Sequence, residues 1–128
     1  MGMYTEFHFN AEVRESSPAS VIEILKYMVD STVSEPEEKP CHPLFRTERW
    51  EYMLRCDSCY FAADTNSSFR HDTLHKAYFL CVRCNLKNYD DEIEKFIDWI
   101  KPYIFAEEGD FLGFYRYEEC QQPSLIFM

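Results

Sequence analysis

The stretch Tyr4-Thr5-Glu6-Phe7-His8-Phe9-Asn10-Ala11-Glu12-Val13 alternates without a break. Thr5, Phe7, Phe9, Ala11 and Val13 fall on one side, and Glu6, His8, Asn10 and Glu12 on the other. A side-chain period of two is that of a strand with one face in a core and one in solvent. The apolar face needs a cover, and the chain supplies one at once. Ser17 offers an N-cap, Pro18 fits the first helical position, and Val21, Leu25, Met28 and Val29 recur at helical spacing to about residue 30. His8, on the polar side of the strand, is expected to be solvated.

A second helix is expected over residues 90–101. Asn88 or Asp90 can cap it, acidic residues fill its first turn, Ile93, Phe96, Ile97 and Ile100 form one stripe, and Pro102 closes it. Between the helices, Trp50 to Cys56, Cys59 to Ala63, Phe69 to His71 and Ala77 to Leu86 are rich in aromatic and β-branched residues and read as antiparallel strands or hairpins. Phe111 to Glu118 and Leu125 to Phe127 supply two more, after the turn Glu107-Glu108-Gly109-Asp110. Residues 31–43, with Pro36, Pro40, Pro43 and the acids Glu35, Glu37 and Glu38, read as an acidic, proline-containing loop. The expectation is a single α+β domain over residues 3–128, with two helices packed on an antiparallel sheet. Met1-Gly2 reads as a cloning remnant.

With 128 residues the chain suffices for one core, and its 17% aromatic content argues against disorder. No apolar run approaches the length of a membrane span. The net charge is -10, and no basic stripe is present for a phosphate backbone, which disfavours direct nucleic-acid binding. Three glycines are too few for a phosphate-cradling loop. The opening residues carry Glu6, His8, Asn10 and Glu12 where a signal peptide would be apolar, so a cytoplasmic location is expected.

Cysteine is then the main chemical signal. Cys56-Asp57-Ser58-Cys59 and Cys81-Val82-Arg83-Cys84 are two C-x-x-C pairs. Each such pair can present two thiolates to one ion, and two pairs complete a tetrahedral four-thiolate site with no open position. The expectation is a structural zinc on Cys56, Cys59, Cys81 and Cys84 that joins two hairpins and adds its binding free energy to folding. A rival set takes Cys56 and Cys59 with His71 and His75, as in a two-cysteine, two-histidine finger, but that finger needs a helix where Phe69 to Leu80 suits a hairpin. A third reading leaves all four cysteines as small core or strand residues without metal. Cys41 and Cys120 stand outside the constellation.

No nucleophile with its base, open metal position or specific carboxylate pair stands out, so the chain is not expected to be an enzyme. An acidic, aromatic-rich domain is suited to binding a basic protein surface. Aromatic anchors beside acids are Tyr89 next to Asp90 and Asp91, and Tyr115 or Tyr117 near Glu118 and Glu119.

In size, acidity, paired cysteines and the opening Met3-Tyr4-Thr5-Glu6-Phe7-His8-Phe9, the chain resembles small streptococcal phage and prophage proteins, some of them zinc-containing anti-CRISPR proteins. The resemblance implies a stoichiometric inhibitor in the host cytoplasm that binds a type II CRISPR Cas nuclease and interferes with guide or DNA engagement. Zinc ligation by Cys56, Cys59, Cys81 and Cys84 is all that carries over by residue. Two other classes stay open: a zinc-stabilised adaptor or immunity-type module with an unrelated partner, and a small metal or redox enzyme.

Overall fold

The computed structural model describes residues 3–128, so Met1-Gly2 lies outside the described residues. Five strands, β1 (Thr5–Arg14), β2 (Ser68–Asp72), β3 (Ala77–Leu86), β4 (Phe111–Tyr117) and β5 (Ser124–Phe127), form one antiparallel sheet in the order β2-β3-β1-β4-β5. The alternating strand is its centre. Phe7 lies opposite Cys84 of β3 and Tyr115 of β4, and Phe9 opposite Val82 and Gly113. Phe7, Phe9 and Val13 are fully buried, as the alternation requires.

Two helices, α1 (Ala19–Val29) and α2 (Glu92–Ile100), supply the cover, and the expected α+β architecture is present. Helix α1 buries Val21, Ile22, Ile24, Leu25 and Met28. Helix α2 sets Phe96 edge-on to Phe7 and Phe9, at centroid distances of 6.1 and 6.0 Å. Each such ring contributes about 1.5–3 kcal/mol through burial alone.

Both helices lie within the expected spans, but one cap differs. Pro18, in extended conformation, flanks α1, and its carbonyl accepts from Val21 N and Ile22 N at 3.0 and 3.3 Å. Ser17 does not cap: its Oγ is buried without a partner. Before α2, Asn88 Oδ1 accepts from Ile93 N at 2.9 Å, while Asp91 stands in the left-handed region and makes no side-chain cap.

The larger correction concerns residues 50–63, which are not strands. A turn at Trp50-Glu51-Tyr52 leads into a short 3₁₀ turn, Met53–Arg55, and a loop follows. Trp50, Met53 and Leu54, spaced three and four apart, are all buried, so the aromatic content concealed a helical period. Trp50 packs against Phe45, and Phe45 against Trp99 of α2, at 4.9 and 5.2 Å. The 31–43 segment has no regular element until the 3₁₀ turn Pro43–Arg46, whose Leu44 is buried. Among the described residues no helix is long and apolar enough to cross a membrane.

The helices leave the other face of the sheet open, except where residues 56–66 fold against it. Asn66 N donates to Arg83 O at 2.8 Å, and Asn85 Nδ2 donates to Asp57 Oδ1 at 3.3 Å. Tyr60 meets Tyr4 at 6.0 Å, and the Arg116 guanidinium stands 5.3 Å from the Phe61 ring.

Candidate protein-binding site

The structure brings two of the four paired cysteines together. Cys56 follows the 3₁₀ turn, and its carbonyl accepts from Asn85 N at 3.1 Å and from Thr65 Oγ1 at 2.5 Å, which pins it beside β3. Cys84 is 1% exposed and faces the core. Burial pushes its thiol well above the ordinary range, and the neighbouring Cys56 pushes it further. Burial also raises the Cys56 thiol.

Cys59 and Cys81 are exposed. Cys81 and Cys84 stand three apart on an extended strand, so their side chains leave opposite faces of the sheet. Cys81 is registered with Asn10 on the open face, and Cys84 with Phe7 on the buried one. Zinc–sulfur bonds of about 2.3 Å cannot reach both from one ion, and the four residues as placed do not fit a four-thiolate site. Among the described residues no group of three or more His, Cys, Asp or Glu is placed to hold a metal. The hairpin expected over residues 69–80 is present as β2–β3. His71 on β2 pairs with Glu15 at 2.5 Å, and His75 in the turn pairs with Asp72 at 3.2 Å. Cys41 and Cys120 are exposed.

The three tyrosines singled out in sequence come together. Tyr115 and Tyr117 project from the same side of β4, and Tyr89 arrives from the turn before α2. They line one cavity of about 520 Å³ with Met3, Thr5, Asn88, Arg116, Cys120, Gln122 and Ser124. Met3 N donates to Tyr89 OH at 3.2 Å, and Tyr117 OH donates to Met3 Sδ.

The cavity is acidic in its surroundings. Burial, then the charge of Glu94, raises the Tyr115 phenol, and Asp91 adds to it. Burial, then Glu119 and Glu118, raises Tyr117. Both phenols therefore stay protonated and can donate hydrogen bonds. Arg116 brings little free positive charge, because its Nε and Nη2 donate to Glu6 Oε2 at 3.0 and 2.6 Å and its Nη1 to Cys120 O at 3.0 Å. Tyr89 is 56% exposed at the rim, with the Arg49 guanidinium 5.1 Å from the centre of its ring.

On the open face a polar line crosses three strands. Arg83 Nη1 donates to His8 Nδ1 at 2.7 Å, so His8 carries its proton on Nε2 and donates to Glu6 Oε1 at 3.0 Å. Phe114 stacks on the His8 ring at 4.3 Å. His8 is thus not the solvated side chain expected from its place in the alternation. The same face carries Phe111 against Phe127, with ring centroids 5.7 Å apart. Register across β3, β1 and β4 made the first arrangement and register between β4 and β5 the second, and nothing in the local sequence of any one strand announces them.

Comparison of the chain with protein-family models, with curated proteins and with solved structures gives no match.

Proposed function

We propose that the protein is a stoichiometric binding protein, without catalytic chemistry of its own, that inhibits a nucleic-acid-handling enzyme by occupying a basic surface of it. A type II CRISPR Cas nuclease is the partner to which the sequence resemblance points. The observation that carries the reading is the convergence of Tyr89, Tyr115 and Tyr117 on one cavity flanked by Asp91, Glu94, Glu118 and Glu119.

Tyrosines present large apolar rings at small entropic cost and a hydroxyl that can donate to or accept from a partner. Carboxylates beside them favour a cationic partner group, such as a Lys or Arg side chain, and repel phosphate. The net charge of -10 steers the whole molecule toward a basic channel and quickens encounter at low salt. Neither the cavity nor the acids need a metal for this role.

The test is a DNA-cleavage titration with purified nuclease at two salt concentrations, paired with co-elution. Inhibition is expected to saturate near equimolar protein and to weaken as salt rises. Tyr89→Ala, at an exposed position, is expected to weaken binding about tenfold or more without unfolding the protein. Absence of both inhibition and co-elution at low salt would remove the nuclease as partner.

A further inference from the structure

The sheet ends in two edge strands that differ in chemistry. Strand β2, Ser68-Phe69-Arg70-His71-Asp72, is guarded: Arg70 pairs with Asp72 at 3.5 Å and His71 with Glu15. Charged side chains on an edge discourage pairing with another chain. Strand β5, Ser124-Leu125-Ile126-Phe127, carries no charge and no internal proline, and among the described residues β4 is its only neighbour in the sheet.

We propose that β5 is a docking edge that takes an extended segment of a partner as a sixth strand, apolar at alternate positions and bearing Lys or Arg at both ends. This rests on the reading of the partner as a basic protein and names the form in which it binds. Added strands gain affinity from backbone hydrogen bonds and specificity from alternate side chains. Leu125 and Phe127, 56% and 47% exposed, form a lane on the open face of the sheet. Phe114 lies in register with Leu125, and Phe111 with Phe127.

Charge selects the occupant. Glu118 and Glu119 stand in the turn that leads to β5. Glu107, Glu108 and Asp110 stand at its other end, where Gly109 N donates to Met128 O at 2.9 Å and Met128 N to Asp110 O at 2.8 Å. A second copy paired antiparallel along β5 would set one acidic end against the other, with -10 on each chain. A strand with basic ends meets opposite charge at both.

The experiment is residue-resolved amide hydrogen exchange on the full chain at low salt. The probe is a synthetic peptide of Val-Thr-Ile-Thr-Val with Lys-Arg before it and Arg-Lys after it. Exchange at the amides of Ser124–Phe127 that point away from β4 is expected to slow at least tenfold while Ser68–Asp72 is unchanged. The same peptide with Glu at all four end positions should give no protection. The double variant Leu125→Lys/Phe127→Lys should lose the protection, and its exchange without peptide, slow at the amides bonded to β4, checks that β5 is still in the sheet. Equal protection by the Glu-ended peptide, protection of β2 instead, or a dimer in sedimentation that shields β5 without peptide would overturn the proposal. If the double variant captures the nuclease at wild-type strength, the edge is not the docking element, although the partner reading holds. If the wild type fails to capture the nuclease yet the basic peptide protects β5, the edge stands and the partner is a different basic protein.

Discussion

Arg83 Nη1 lies 2.7 Å from His8 Nδ1, and because a guanidinium can only donate, this contact fixes the imidazole as a neutral acceptor. Protonating His8 would set a second cation against the first. Burial is the larger cause that lowers its pKa below 6.5, and Arg83 adds to it, against the opposing pull of Glu6.

A group whose folded pKa is depressed leaves the unfolded chain holding more protons, so stability is full above the unfolded pKa and falls as pH drops below it. The melting temperature is expected to decline as pH is lowered from about 7.5 to about 5.5, through the ordinary histidine value. His8→Gln should flatten that slope, as shown by melts across the same window. An unchanged slope in the variant would assign the titration to another group.

The cysteines make opposite predictions for two similar substitutions. Cys84→Ser places a hydroxyl in the core beside Phe7 and is expected to cost about 1–3 kcal/mol, whereas Cys81→Ser on the open face should be within about 0.5 kcal/mol of wild type. An ion held by all four thiolates would make both substitutions comparably costly. Chemical denaturation of both variants, beside metal analysis of protein purified without added zinc, separates the cases.

Glu92 is fully buried and meets Arg49 Nη1 at 3.3 Å, while its other oxygen accepts from Asp90 N at 2.9 Å. Removal of one partner leaves the other charge buried and unpaired. Arg49→Met should therefore destabilise by about 3–5 kcal/mol. The double variant Arg49→Met/Glu92→Gln is expected to recover part of that loss, which a double-mutant cycle reads directly.

Gly113 lies opposite Phe9, so close to β1 that an added Cβ would collide with the His8 carbonyl. Gly113→Ala is expected to part β4 from β1 there and to lower the melting temperature by several degrees. Faster exchange at β4 amides than at β3 amides in the variant would locate the damage.

Periodicity read along the chain was enough for β1, α1 and α2, because a face that must be buried repeats at 2 or at about 3.6 residues wherever it occurs, and aromatic and β-branched composition was enough for β2, β3 and their hairpin. It misread residues 50–63, where Trp50, Met53 and Leu54 fill the core from short turns and their aromatic neighbours imitate strand composition. The pairing of Cys81 with Cys84 is equally local in sequence. Once β3 is extended, a separation of three sends the two thiols to opposite faces, and that extension is fixed by pairing with β1 and β2. Each tyrosine beside its acids was visible in the chain. Their meeting around one cavity was decided by β4 lying next to β1 and by the turn before α2, contacts between residues distant in sequence. Local pattern thus settled the buried faces of β1, α1 and α2. Only strand order and register settled which of them share a face, because that depends on which distant segment supplies the neighbouring backbone.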